Sequence, residues 1–339
     1  MTQLGLTVYG CEPDEARLFL ELSPRLGIVP TISSDAVSEA GVVSVPRNRC
    51  VSVGHKSEIS APILRALQHA GVEYVSTRSI GFDHIDLPAA ERAGIAVENV
   101  VYAPDGVADF TVMLILMVIR NVKAVLGAAE QHDFRLGALP GRDLRDLTVG
   151  VVGVGNIGTA VVTRLRAFGC RVLACNNGPT TAAVADFVSL DELLRESDVV
   201  TLHLPLDRDT HHIIGRAQFE AMKPGASLVN TGRGALVDTA ALLVALETAR
   251  LGGAALDVLE GEDGVFYRDR TTSPVDHPFL LRLQQLPNVI VTPHTAYYTA
   301  RMLRDTVEQT LVNCLRFERN QAHASTQGRD LVRGLLGGA

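Results

Sequence analysis

Short β-branched runs alternate with amphipathic stretches over nearly the whole chain, the rhythm of an α/β architecture with parallel strands. LGLTVYG near the start reads as a strand and residues 13–22 as a helix. Residues 50–54 and 73–77 read as further strands, with a helix between them from about Ala61 to Gly71. These pieces make one small α/β unit. Residues 105–125 have an early acidic residue, no proline and a late Lys, which predicts one long helix. Its surface is apolar almost all the way round, so it should be buried between domains or in a dimer. A second unit opens at LTVGVVG, with strands expected at 148–152, 171–175, 198–204, 226–230, 253–258 and 288–292. Ser189 with Glu192 forms a capping box before one helix, and Asp238 opens another that should end near Gly252. After Pro293 the run YYTARMLRDTVEQTLVNCLRFER predicts a last long helix that packs back on the first unit. The tail over 322–339 is expected to add little.

Composition narrows the ligands. The 339 residues are 47% hydrophobic and 20% charged, enough apolar material for substantial cores, which excludes disorder for most of the chain. Lys and Arg total 31 against 38 Asp and Glu, with no block of like charge, so neither nucleic acid nor an anionic membrane is the expected partner. An anionic ligand must then be held by a local cluster of positive charge. Five cysteines, none in a CxxC pair, indicate neither a zinc ribbon nor a disulfide framework but reduced thiols. The longest apolar run, from Val112 to Ile119, is far short of the roughly 20 residues that cross a bilayer, and the N-terminal stretch lacks a secretion signal. A cytoplasmic protein is expected.

Gly153, Gly155 and Gly158 form G-V-G-N-I-G between a predicted strand and a predicted helix. In that setting the first glycine permits the turn, the second lets backbone approach a pyrophosphate, and the third allows close helix packing. A tight glycine turn with no ligand is the ordinary alternative. The acidic residue expected about 20 positions on, to grip the adenosine ribose, is missing, because the second strand ends in Asn176 and Asn177. With no carboxylate to repel a 2'-phosphate and no Arg to attract one, the expected cofactor is NADPH or NADH, with tolerance of both and a lean to NADPH.

Arg233, Glu262 and His294 each fall just beyond a predicted strand, in NTGRG, DVLEGE and TPHTAYYT. In doubly wound sheets those strand ends face the ligand crevice, so a cation, a carboxylate and an imidazole can converge there. Taken singly they have ordinary alternatives: a surface arginine, a solvated glutamate and a structural loop histidine. Joint spacing favours catalysis. His211 and His212 suggest metal ligands, yet no further ligand is spaced to help them, and they read as surface residues; no metal is expected.

On GVGNIG, NTGRG, DVLEGE and TPHTAYYT the chain resembles the D-isomer-specific 2-hydroxyacid dehydrogenases from about Leu4 to Arg319. GCEPDEA, SVGHKSEISA, STRSIG, HDFRL, GGAALDVLEGE and TPHTAYYT carry a narrower likeness to the vancomycin-resistance D-lactate dehydrogenases of the VanH type. The resemblance implies two Rossmann-like or flavodoxin-like parallel-sheet domains with an interdomain cleft. Residues 1–103 and 299–339 would form a discontinuous substrate domain, and 104–298 an inserted dinucleotide-binding domain. It implies that Arg233 holds the carboxylate of a 2-keto acid and polarises its carbonyl. His294 would protonate the keto oxygen as hydride arrives, while Glu262 orients the imidazole and favours its protonated form. Asn156 and Ile157 match the pyrophosphate turn, and Leu204, Pro205 and Thr210 a stretch lining the cofactor. Thr231, Gly232 and Asp257 match the nicotinamide side, Asp257 having a strand-end cap as its plainer role. The Ser79-Ile80-Gly81 turn, Tyr102 and Tyr298 match substrate contacts, though a plain turn and half-buried aromatics would look the same. The implied reaction is reduction of a small 2-keto acid, chiefly pyruvate, to the D-2-hydroxy acid by a homodimer, feeding a D-Ala-D-Lac peptidoglycan precursor. The alternatives are a dehydrogenase for another keto acid and a dinucleotide-sensing, corepressor-like binding protein.

Overall fold

In the computed structural model, which describes residues 4–43, 48–56, 58–137, 140–176 and 185–336, every described strand pair is parallel. Parallel neighbours need crossover segments on the sheet faces, so their strands become buried on both sides. The chain divides into two compact units, Met1–Ala103 with Thr299–Ala339, and Pro104–Tyr298.

The first unit holds β1 (Leu4–Val8), β2 (Ile28–Ile32), β3 (Cys50–Val53), β4 (Tyr74–Thr77) and β5 (Ala96–Asn99), in the order β2-β1-β3-β4-β5. This is the flavodoxin-like order, with its switch point between β1 and β3. Strand alternation sorts the core: Leu6 and Val8 face Phe19 and the helix Ala300–Leu336 through Val307, Leu311 and Cys314. Val51, Val53 and Val75 face Leu64 and Leu67 of the helix Ala61–His69 instead. Several elements here go beyond the sequence reading, the short helix Glu39–Val43 among them. β2 contains Pro30 and sits at the sheet edge, where a residue without an N–H is tolerated. The helix Leu87–Arg92 is capped by Asp86, whose side chain accepts from the Ala89 N–H at 2.9 Å, and β5 follows it. The final helix is Ala300–Leu336, longer than the run ending at Arg319 that predicted it.

The second unit holds β6 (Thr148–Val152), β7 (Arg171–Cys175), β8 (Asp186–Phe187), β9 (Val199–Leu202), β10 (Ala226–Asn230), β11 (Leu251–Leu256) and β12 (Val289–Val291). Their order is β12-β11-β10-β9-β6-β7-β8, so the chain reverses direction across the sheet between β6 and β9. Ligands bind open α/β sheets beyond the strand ends at such a switch point. β9 and β10 are buried at every residue, the continuous apolar pattern of central parallel strands.

The helix Asn156–Ala167 buries Gly158, Val161, Val162 and Leu165, a single 3.6-period stripe against that sheet. The single helix expected over 105–125 is instead two, Asp105–Ile119 and Val122–Glu130, bent by 66°. Asn121 sits at the break with φ +53°, a left-handed conformation that Asn tolerates and a continuing helix does not. The first segment buries eight side chains, while the second buries none. Further boundaries move: β9 is shorter than residues 198–204, β11 lies two residues before 253–258, β12 is shorter than 288–292, and the helix opened by Asp238 ends at Glu247. The caps at Ser189 and Asp238 accept from the Glu192 and Ala241 N–H groups. Among the described residues, no single helix is long and apolar enough to cross a membrane.

Candidate active site

The turn after β6 is built for close backbone approach. Gly153 has φ +92°, and a Cβ there would lie 2.7 Å from the His203 carbonyl oxygen; a Cβ on Gly158 would lie 2.0 Å from the Gly153 carbonyl oxygen. Neither position accepts a side chain. Around Gly155, by contrast, the space a Cβ would occupy is open. Gly155 caps the helix Asn156–Ala167, which has no side-chain cap and no acidic residue in its first turn. A helix N-terminus left in this state accepts a phosphate, so the residues present fit the pyrophosphate of a dinucleotide. Leu204, beyond β9, lies against Gly153. Pro205 and Thr210 belong to one turn, in which the buried Thr210 hydroxyl donates to the Pro205 carbonyl at 2.8 Å. Asn176 is exposed just past β7; Asn177 lies outside the described residues. Burial under this turn pushes the His203 imidazole down to about 3, so it is neutral at physiological pH.

Three neighbouring strands deliver the charged groups. The register Asn230↔Leu256↔Val291 aligns the C-terminal ends of β10, β11 and β12, and Arg233, Glu262 and His294 lie three, six and three residues beyond those ends. Parallel strands are about 4.8 Å apart, so the loops they feed are adjacent. Gly234 packs against the backbone of Leu259 and Glu260, bringing the Arg233 loop onto the Glu262 loop. The half-buried Arg233 donates from Nη1 to the Gly232 carbonyl at 2.9 Å; Asn230 braces this turn by accepting from the Gly232 N–H and donating to the Arg233 carbonyl. The Glu262 carboxylate is fixed at both oxygens: Oε2 accepts from the Leu259 N–H and Oε1 meets His294 Nδ1, each at 2.6 Å. A carboxylate acceptor on Nδ1 assigns that nitrogen its proton and turns the chemistry of the ring to Nε2.

His294 is held in a conformation it would not adopt alone. Its φ is +53°, its N–H donates to the Asp257 carbonyl at 2.7 Å, and its own carbonyl accepts from the Tyr267 hydroxyl at 2.9 Å. The Asp257 carboxylate, fully buried, accepts from the Thr292 hydroxyl and from the Thr295 and Ala296 N–H groups, so its contacts organise the loop around the imidazole. Tyr267 and Tyr297 flank the ring at centroid distances of 5.8 and 6.0 Å. Burial, with the Glu262 carboxylate nearby, drives the Tyr267 phenol well above its usual range, so it stays a hydrogen-bond donor. Sequence reasoning singled out neither Tyr267 nor Tyr297. The usable signal was scarcity, since only six tyrosines occur in the chain and three of them fall in the two segments that carry Glu262 and His294.

The other marked residues have definite places. Thr231 is buried with its hydroxyl 2.9 Å from that of Thr111. Tyr298 is exposed, edge-on to Tyr297. In the first unit, the Ser79-Ile80-Gly81 turn has all three carbonyls engaged, by the Val100 N–H, the Asn99 amide and the Ser79 hydroxyl. Arg78, directly before it, is buried and donates to Glu15, Ser52 and the carbonyls of Tyr9 and Gly10, tying this turn to the end of β1. Tyr102 is half-buried. One expectation is corrected: His211 and His212 do have a third potential ligand beside them, Glu260, which lies too far along the chain for spacing to reveal.

Comparison with known proteins bears on this geometry. The model of the D-isomer specific 2-hydroxyacid dehydrogenase NAD binding domain matches residues 112–296. A D-specific alpha-keto acid dehydrogenase of Enterococcus faecium is 60% identical over 323 residues, covering 95% of this chain and all of that one. Among solved structures, a D-lactate dehydrogenase of Aquifex aeolicus complexed with NAD and lactic acid superposes with a TM-score of 0.85 at 31% identity, covering 94% of this chain and 96% of that one. A D-2-hydroxyisocaproate dehydrogenase gives the same TM-score at 29% identity, covering 94% and 98%.

Proposed function

The chain belongs to the D-isomer-specific 2-hydroxyacid dehydrogenase family, NAD-dependent oxidoreductases, and from that premise we propose that it reduces pyruvate to D-lactate with Arg233, Glu262 and His294 as its catalytic set. The observation that carries the catalytic reading is the Glu262–His294 pair, bonded at 2.6 Å and set beside the Arg233 loop at the ends of three adjacent strands. When bound, the reduced nicotinamide supplies the hydride that the keto carbon accepts. Gly153, Gly155, Asn156, Ile157 and Gly158 would hold its pyrophosphate, and Leu204, Pro205, Thr210, Thr231, Gly232 and Asp257 would line the rest of its site.

The remaining work falls to protein side chains. Arg233 offers a planar, permanently charged fork that fits a carboxylate and pulls electron density from the neighbouring carbonyl. His294 gives a proton from Nε2 to the keto oxygen, and Glu262 stabilises the ring while it carries that proton. Tyr267, Asp257 and the Leu259 N–H keep imidazole and carboxylate in register. The Ser79-Ile80-Gly81 turn, Tyr102 and Tyr298 enter this reading as substrate contacts by resemblance alone. On the same ground, D-lactate would serve a D-Ala-D-Lac cell-wall precursor made in the cytoplasm.

The test is oxidation of NADH and NADPH by the purified chain with a panel of 2-keto acids, followed by stereospecific assay of the product. D-lactate from pyruvate at the highest kcat/KM supports the reading, and indifference to pyruvate overturns it. Cofactor choice is tested separately, at Asn176. With no carboxylate there, both cofactors are expected to work, NADPH better. Asn176→Asp should shift the kcat/KM ratio towards NADH by about tenfold or more, roughly 1.4 kcal/mol; an unchanged ratio removes residue 176 from the ribose site.

A homodimer is the second part of the proposal. The helices Asp105–Ile119, Val122–Glu130 and Asn156–Ala167 bound a groove of about 700 Å³ whose apolar walls include Val112, Met113, Leu116, Val125, Leu126 and Phe168. Met113, Val125, Leu126 and Phe168 are all exposed large hydrophobic residues, a concentration that supports association through this face. Sedimentation should give a dimer for the wild type and a monomer for Leu126→Arg; a monomeric wild type refutes it.

A further inference from the structure

We propose that His211, His212 and Glu260 form a binding site for a borderline divalent cation, zinc above all, separate from the residues assigned to catalysis. The juxtaposition is a product of folding, since the histidines follow β9 and the glutamate follows β11. Adjacent side chains ordinarily diverge. Here His212 has φ +53°, which turns the two imidazoles to the same side and stacks them with centroids 4.0 Å apart. Glu260 Oε1 lies 2.7 Å from His212 Nε2 and 4.0 Å from His211 Nε2, and one ligand atom from each residue falls within 4.8 Å of the others. Zinc bonds of about 2.0–2.1 Å set tetrahedral ligand atoms roughly 3.3 Å apart, a value that these separations bracket. Side-chain adjustments on the order of an ångström therefore close three ligands on one ion.

Outer contacts prepare the site. The His212 N–H donates to the Ala235 carbonyl at 2.8 Å, the Thr239 hydroxyl donates to Glu260 Oε2 at 3.5 Å, and the Glu260 carbonyl lies 2.9 Å from His277 Nε2. Such second contacts hold metal ligands in place. His277 is itself fixed, its Nδ1 accepting from the Leu280 N–H at 3.0 Å, so Nε2 carries the proton donated to Glu260. The three ligand side chains are 53%, 35% and 34% exposed, which leaves an entry path and room for a water as fourth ligand. Two imidazoles and one carboxylate favour zinc, copper, nickel or cobalt over magnesium or calcium.

The test uses the full chain stripped with a chelator and titrated with zinc by competition against a zinc-sensitive dye. One zinc per chain is expected in the wild type, with affinity weakened at least about tenfold in each of His211→Ala and Glu260→Gln, the scale on which disturbing even outer contacts acts. His211→Ala removes an exposed ring, and an unchanged metal-free unfolding midpoint separates lost binding from lost folding. Cobalt substitution should give visible bands of a nitrogen- and oxygen-ligated ion without a thiolate charge-transfer band. No bound zinc, equal affinity in wild type and variants, or a thiolate band each overturns the site. None of these readouts depends on the dehydrogenase reading.

Discussion

Replacing His294 by Asn is expected to lower kcat by at least about 100-fold while leaving cofactor affinity within a few-fold of wild type, since a positioned acid-base group contributes roughly 10²–10⁴ in rate. Asn is the informative substitution because residue 294 sits at φ +53°, where Asn is tolerated and Ala adds strain. The variant therefore removes the Nε2 proton donor and leaves the fold. Stopped-flow measurement of the chemical step gives the first quantity. Fluorescence of bound reduced cofactor gives the second, against a low background because the chain has no Trp. A variant that turns over at the wild-type rate takes His294 out of the reaction.

Replacing Arg233 by Lys is expected to cost roughly 10- to 150-fold in kcat/KM, with much of the loss in KM. That range corresponds to one charge-assisted hydrogen bond, about 1.5–3 kcal/mol. An ammonium keeps the charge but cannot present two parallel donors to a carboxylate, and it lacks the planar geometry with which Nη1 reaches the Gly232 carbonyl. A neutral substrate analogue lacking the carboxylate should show a much smaller difference between the two proteins. An equal loss for both substrates would assign Arg233 a structural role in its loop instead.

Much of this was legible in the chain because its signals are local. The strands at 148–152, 171–175 and 226–230 and the helix Pro13–Leu22 have the bounds read from residue pattern alone. Each is a short apolar or amphipathic run closed by a cap or a turn residue, and such runs state their own period. The glycine turn was equally clear, since Gly153 and Gly158 occupy positions that backbone atoms crowd. Other features turned on neighbours. β2 was hidden by Pro30, which reads as a strand breaker until the strand is known to lie at a sheet edge. The bend at Asn121 was hidden inside an unbroken apolar pattern.

Residue chemistry and order along the chain thus determined the parallel α/β class, the glycine turn after β6 and the placing of Arg233, Glu262 and His294 just beyond strands. Only the tertiary structure decided which of those side chains touch. The Glu262–His294 bond, the Tyr267 hydroxyl on the His294 carbonyl and the meeting of Glu260 with His211 and His212 join residues 27 to 49 positions apart, through loops whose paths no local period encodes. Those paths are set by the register of β10, β11 and β12 and by close packing such as that of Gly234 on Leu259, interactions that exist once the sheet has formed. Side-chain type is carried by each residue, whereas proximity is a collective property of the folded sheet.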